Sequence, residues 1–336
     1  METSIQMGNP PTIEEKTQKT HILKSIFLSP QERRLRAGWR IFILGVIYQV
    51  FTFLLYLPLF FLFGRLVPPS IILEKSISLT AILLAVFLAR RFLDRRSFIS
   101  LGLELKWLSV KDLLAGFTIA GIIMALIYFL ELSAGWLQFT GFLWQTIPSQ
   151  YLINNIMTSL LLFSIVAFDE EIFSRGYHLQ NFADGAMTKI QLPESKSNFY
   201  ERIQSAFIAS LNIFTGKKSL LWGSLASSLI FAFLHMANPN ATLYAFIGLL
   251  AAGLFLSYAY LRTCRLWLPI GLHIGWNFFE GTIFGFPVSG IDLQGLVRQF
   301  NTGPAIITGG GFGPEAGLIL FPGLALGSIL VYIYTK

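Results

Sequence analysis

Six polar side chains stand out in a chain that otherwise avoids them. Glu170, Glu171 and Arg175 lie in FDEEIFSRGYH (168–178), His235 closes FAFLH (231–235), and His273 and Asn277 bracket HIGWN (273–277). Glu171 and Arg175 are four residues apart, so on a helix they share a face and can pair. Glu170 points about a third of a turn away, toward a different neighbour. His273 and Asn277 project together from one helix face in the same way. A carboxylate beside an imidazole can take a proton from water, and a carboxamide with an imidazole can hold a developing oxyanion. That set suffices for peptide hydrolysis without a covalent intermediate. No serine, nor the lone Cys264, stands in a motif that marks a nucleophile. Glu170, His235 and His273 could instead hold a zinc ion, which lowers the pKa of a bound water to about 7. There is no H-E-x-x-H, so the usual zinc-protease helix does not apply, and metal-bound and directly activated water both stay open.

Each feature alone has a plainer reading. A charged cluster at a helix end is solvated by headgroups, and a single histidine in an apolar helix is more often a hydrogen-bonded packing residue. Together they read differently. Of the four histidines, His21 lies in the polar N-terminal segment and His178 follows the acidic motif, while His235 and His273 fall inside two different apolar stretches. Polar groups in lipid find partners only in one another, so the two glutamates, His235, His273 and Asn277 are expected to converge on one polar cavity.

The elements that must position them are membrane helices. The 336 residues are 54% hydrophobic and 13% charged, with mean hydropathy +0.62, whereas soluble domains carry about a quarter charged residues. The fold class expected is an all-α polytopic membrane protein. Stretches near the length of a span, about 20 residues, fall at 41–63, 76–93, 113–131, 152–174, 219–237, 241–261, 266–284 and 316–334. With the first helix starting inside, the inner segments hold every lysine and arginine except Arg65, Lys75 and Arg298. This positive-inside asymmetry puts both termini in the cytoplasm. The net charge of +7 therefore follows the membrane and is no footprint for nucleic acid. One cysteine excludes a disulfide framework, and the polar N-terminus lacks the plan of a signal peptide.

A disordered cytoplasmic tail is expected over 1–28, then a single transmembrane domain over 29–336. Ser29-Pro30-Gln31-Glu32 reads as a helix start, leading RRLRAGWR into the first span with its arginines at anionic headgroups. The 179–218 segment reads as a cytoplasmic loop. Within it Phe199, Ile203, Phe207, Leu211 and Phe214 recur at helical spacing, which suggests an amphipathic interfacial helix or, alternatively, a substrate-steering lid. GPAIITGGGFGPEAG (303–317) lacks the Gly-Lys-Ser/Thr of a phosphate loop and reads as a re-entrant or tightly turning glycine loop, with Glu315 beside the last span. One conflict follows from these boundaries. Glu170 would end span four near the cytoplasm, while His235 would lie sixteen residues, about 24 Å, into span five. They meet only if span four continues well past Gly176, or if span five is displaced or broken near Pro239.

In this order on successive helices, E-E-x-x-x-R, F-x-x-x-H and H-x-x-x-N resemble the CAAX protease and bacteriocin-processing family of intramembrane endopeptidases, over roughly residues 150–280. RLRAGWR and RRFLDRRSFISLGL are similar to flanking features of bacterial members. The resemblance implies an integral protein of a bacterial cell (inner) membrane that cleaves a membrane-associated, prenylated-type or leader peptide. It implies Glu170 as the water-activating base, Glu171 as its partner, and Arg175 as a brace for the motif. His235 and His273 would assist the water or bind Zn2+, and Asn277 would stabilise the oxyanion. The partners implied are membrane lipid and a protein or peptide substrate, with no nucleic acid. A non-catalytic scaffold or bacteriocin self-immunity factor, and a proton-coupled transporter, are the competing functions.

Overall fold

The computed structural model describes residues 27–29, 34–63, 70–187 and 218–336. The chain is mainly helical. Its principal helices are α1 (Ala37–Phe63), α2 (Ile71–Leu88), α3 (Trp107–Ser133), α4 (Ser149–Glu171), α5 (Leu179–Met187), α6 (Ser219–Leu234), α7 (Leu243–Thr263), α8 (Trp267–Asn277), the single turn α9 (Ala305–Thr308) and α10 (Leu320–Tyr334). Six helical stretches are long and apolar enough to cross a membrane: Ala37–Phe61, Ile71–Asp94, Trp107–Ser133, Ser149–Ala186, Ser219–Ala237 and Leu243–Thr263. Large apolar side chains such as Phe42, Phe53, Phe87 and Phe129 face outward from them, as lipid-facing residues do. Helices also form at the other two expected spans, but they are shorter. One is α8, prolonged by a π-helical turn Phe278–Ile283, and the other is α10.

Local capping starts two of the spans. The Ser70 hydroxyl accepts the Leu73 N–H at the head of α2, and Thr242 accepts Ala245 N–H at the head of α7, satisfying donors that a helix start leaves free. Close approach of backbones fixes α8 against α3. A Cβ on Gly271 would strike the Leu113 carbonyl, and one on Gly116 would strike the backbone of Leu268 and Leu272. Membrane helices associate through small residues of this kind because hydrophobicity does not distinguish a neighbouring helix from lipid. The helix that carries His273 and Asn277 is therefore seated by glycines.

Several boundaries differ from expectation. Ser29 pairs with Arg34 in a two-residue antiparallel bridge, β1 (Leu28–Ser29) with β2 (Arg34–Leu35), and the helix of the first span, α1, begins at Ala37; residues 30–33 of the expected helix start lie outside the described residues. Arg34 and Arg40 of that region turn inward rather than to headgroups. Arg40 is 0% exposed and donates to Asp94 Oδ1 at 3.2 Å, Arg90 donates to Asp94 Oδ2 at 3.0 Å, and Arg34 and Arg96 each lie 2.9 Å from Asp184. This cluster ties α1, the π-helical end of α2 (Ala89–Asp94) and α5 together at one end of the bundle. The helical fold expected also carries one small antiparallel pair, β3 (Leu137–Phe142) with β4 (Val297–Asn301), brought together from distant parts of the chain. The tail before residue 27 and the expected amphipathic helix at 199–214 lie outside the described residues.

The largest difference concerns span four. It does not stop at 174. A π-helical turn, Ile172–His178, carries α4 directly into α5, giving one 38-residue element from Ser149 to Ala186. At 1.5 Å per residue it is about 57 Å long, far more than a hydrocarbon core of about 30 Å. Residues 179–187 are therefore helix, not the start of a loop. α6 runs antiparallel beside this element. Ser227 Oγ donates to the Ser174 carbonyl at 2.7 Å, and Gly223 leaves no room for a Cβ against Leu179 O and Ala183. One residue up α6 matches one residue back along its neighbour, so His235 arrives level with the turn that holds Glu170. The depth conflict is resolved by the continuation past Gly176, and α6 itself ends in a 3-10 turn, His235–Ala237, just before Pro239.

Candidate active site

Glu171 and Arg175 face the middle of the bundle, both 0% exposed. Arg175 Nη1 donates to Glu171 Oε1 at 2.8 Å, and its Nη2 donates to the Gly253 carbonyl of α7 at 3.3 Å. The guanidinium also lies 4.4 Å from the ring centroid of Phe231 on α6. Arg175 thus binds three helices, and it stands in the bundle interior rather than in an inner loop. Glu171 Oε1 accepts a second hydrogen bond, from His273 Nδ1 of α8, at 2.8 Å.

His235 is held differently. Its Nδ1 lies 2.8 Å from the Phe231 carbonyl oxygen, four residues back on the same helix. Phe231 therefore serves the F-x-x-x-H motif twice, by its carbonyl on His235 and by its ring under Arg175. A carbonyl only accepts, so Nδ1 of His235 carries the hydrogen; the carboxylate imposes the same choice on His273. In the neutral ring each Nε2 is then an acceptor.

Both Nε2 atoms point toward Glu170. Its Oε2, buried and without a hydrogen-bond partner, lies 3.6 Å from His235 Nε2 and 3.8 Å from His273 Nε2. Three acceptors face one spot, so whatever lies among them must donate hydrogen bonds or carry positive charge. A water molecule meets the first condition and a metal ion the second. Among the described residues no group of three or more His, Cys, Asp or Glu side chains is placed closely enough to hold a metal ion as it stands. The separations are a few tenths of an ångström wider than the roughly 3.3 Å between neighbouring ligands of a tetrahedral zinc. In kind the trio does fit zinc: two imidazoles and a carboxylate are a known donor set, and the far nitrogen of each ring is held by a carbonyl or carboxylate, as in zinc-bound histidines.

Glu170, His235, His273 and Asn277 line one cavity of about 530 Å3. Asn277, 6% exposed, lies one turn beyond His273. The opposite wall comes from α1 and α2, through Tyr48, Gln49 and Lys75. Asp169, unassigned by the motifs, joins this wall; its Oδ2 accepts from Ser78 Oγ at 2.6 Å, and Ser78 in turn meets the Tyr48 hydroxyl at 2.9 Å. All six residues singled out by type and spacing are thus brought together, four around the cavity and the Glu171–Arg175 pair directly behind it.

Two carboxyls were not anticipated there. Glu315 is 5% exposed and lines the same cavity, and Glu280, on the π-helical turn after α8, is 0% exposed with neither oxygen partnered. The only signal for Glu315 in the sequence was the glycine-rich stretch around it, which marks a turn but not where the turn leads.

Residues 152–279 match the Rce1-like family, described as type II CAAX prenyl endopeptidase Rce1-like. That segment contains all six residues and stops short of Glu315. Neither the curated proteins nor the solved structures offer a match to the chain.

Proposed function

We propose that this chain, an integral membrane protein whose residues 152–279 match the Rce1-like type II CAAX prenyl endopeptidase family, hydrolyses a peptide bond within the membrane, in a prenylated-type or leader peptide that enters the cavity between α1, α2 and α4. The observation that carries the reading is the convergence of Glu170 Oε2 with two imidazole acceptors on one cavity wall. A water held there donates its hydrogens to Glu170 and an imidazole, which leaves its oxygen lone pair free for a substrate carbonyl. Glu170 takes the proton as the oxygen attacks. Asn277 bears the charge that develops on the carbonyl oxygen, joined by an imidazole only once its Nε2 has also taken a proton. Glu171 orients His273 through Nδ1, and Arg175 holds Glu171 in place. Where zinc is bound, Glu170, His235 and His273 would hold it, and it would supply a water acidic enough to ionise near neutral pH.

The cavity suits such a substrate. It is mostly apolar, with side chains such as Leu162, Phe163, Leu249 and Phe255 around the polar wall, so an extended apolar peptide or lipid-modified residue loses little on entering.

The test is cleavage of a farnesylated CAAX-type peptide, and of a leader-peptide library, by the purified protein in detergent, with Glu170→Ala, His235→Ala and Asn277→Ala alongside. The first two should abolish turnover, and Asn277→Ala should lower it by about 10²–10³-fold. Turnover that survives both Glu170→Ala and His235→Ala overturns the proposal. Zinc content of the same samples, measured before and after a chelator, decides between the two ways of activating water.

A further inference from the structure

Collapse of the tetrahedral adduct requires a proton for the departing amine, and the residues assigned so far do not obviously provide it. Glu170 has just received one, but it faces the water, and both histidines are committed through Nδ1. Besides Asp169, whose Oδ2 is taken up by Ser78, the cavity wall contains one more carboxyl, Glu315.

Glu315 reaches the cavity on a loop shaped to bring it there. After α9 the chain turns through Gly309, Gly310 and Gly313, with φ of +82°, +56° and +102°, values that only glycine adopts freely. The two short turns Gly310–Phe312 and Pro314–Ala316 are pinned from outside: Gly290 N–H donates to the Phe312 carbonyl at 2.9 Å, and α7 offers Gly248, which leaves no space for a Cβ, against the Glu315 carbonyl. The side chain is pinned too. Ser289 Oγ donates to Glu315 Oε2, the Ser289 carbonyl accepts from Asn238 Nδ2 at 3.0 Å, and Asn238 N–H donates to the His235 carbonyl at 3.0 Å. A run of hydrogen bonds thus links Glu315 to the residue it would act beside. The titratable groups around it are Glu170 on α4, His235 after α6, His273 on α8 and Glu280 on the following turn. Burial pushes the Glu315 carboxyl above the usual carboxylate range.

Resting on the hydrolytic reading above, we propose that Glu315 is the general acid of the reaction and gives its proton to the leaving amine. Water oxygen bonds to the carbonyl carbon while its proton passes to Glu170. The C–N bond then breaks, its electron pair stays on nitrogen, and nitrogen takes the Glu315 proton. Glu315 recovers a proton from Glu170 through cavity water, so the balance is one water consumed and one acid and one amine released.

The test uses the full chain and two probes: a short peptide ending in a prenylated cysteine followed by three residues, and its twin with an ester at the scissile bond. An alkoxide leaves with far less need of a proton than an amine does. Glu315→Gln should slow amide cleavage about 100-fold and ester cleavage less than about threefold, with the basic limb of the amide pH profile lost. Glu315→Asp, which keeps the acid, should recover part of the amide rate. Equal losses on both probes would mean a structural role and overturn the proposal. Independently of any substrate, the infrared spectrum of the wild type should contain a protonated carboxyl band that Glu315→Gln removes; if no band is lost, the proposal fails. Should the wild type cleave neither probe, the hydrolytic reading is what fails, and the infrared result still decides whether Glu315 holds a proton.

Discussion

Consider neutralising each of the two adjacent glutamates in turn. Glu171 Oε1 is shared by Arg175 and His273, at 2.8 Å each, and both Glu171 and Arg175 are 0% exposed. Glu171→Ala leaves Arg175 with one carbonyl at 3.3 Å and a phenyl face, far from water. Removing one partner of a buried ion pair costs about 3–5 kcal/mol. Arg175→Ala strands Glu171 with only His273 and should cost a similar amount. The double variant removes both charges, so its loss should fall short of the sum of the singles by about 1–3 kcal/mol. Glu170 is the contrast. Its Oε2 accepts no hydrogen bond, so Glu170→Gln should alter stability by no more than about 0.5 kcal/mol while turnover falls about 10²–10⁴-fold. The measurements are apparent melting temperature in one detergent and peptide cleavage on the same samples. If Glu171→Ala melts with the wild type, or if the two single losses simply add, the buried pair is not what balances charge behind the site.

Two further outcomes test the frame around the site. Gly271→Ala should destabilise the protein by about 1–3 kcal/mol through overpacking against Leu113 and depress turnover by displacing His273, whereas Gly38→Ala, where a Cβ meets no atom within 4 Å, should leave both melting and cleavage unchanged or slightly improve melting. Asp94→Asn should lower the melting temperature sharply, because Arg40 and Arg90 both rely on that carboxylate, yet cleavage per folded molecule should be preserved, since none of the three residues lines the cavity.

Much of this was legible because lipid leaves polar side chains few options. Residue type and spacing alone picked out Glu170, Glu171, Arg175, His235, His273 and Asn277, and the expectation that they converge needed only the cost of an unpartnered polar group. Hydropathy placed all eight helical stretches within a few residues, except at the end of span four. There the rule that served elsewhere misled. Charge normally marks where a helix leaves the membrane, and DEEIFSR looked like an exit. Glu171 and Arg175 instead pair with each other within the bundle, and a histidine 102 residues away donates to the same carboxylate, so the helix had no need to leave and continues to Met187. A local window cannot see a partner on another helix.

The same blindness hid Glu315, and for a related reason. Its position depends on three glycines at positive φ, on the bare Cα of Gly248, and on Ser289, which lies 26 residues upstream. Glycines carry no polar signal and a single serine announces no catalytic group, and the family resemblance ends before the loop begins. The loop nevertheless solves a problem that the helices leave open. Spanning helices can bring carboxylates and imidazoles to one wall only at the cost of burying them, and they offset that cost by pairing those groups with one another, which removes them from proton donation. A carboxyl carried in from outside the helical pattern, held by one hydroxyl and no cation, is free of that constraint. The acid for the second half of the reaction is therefore more readily supplied by a loop than by a span.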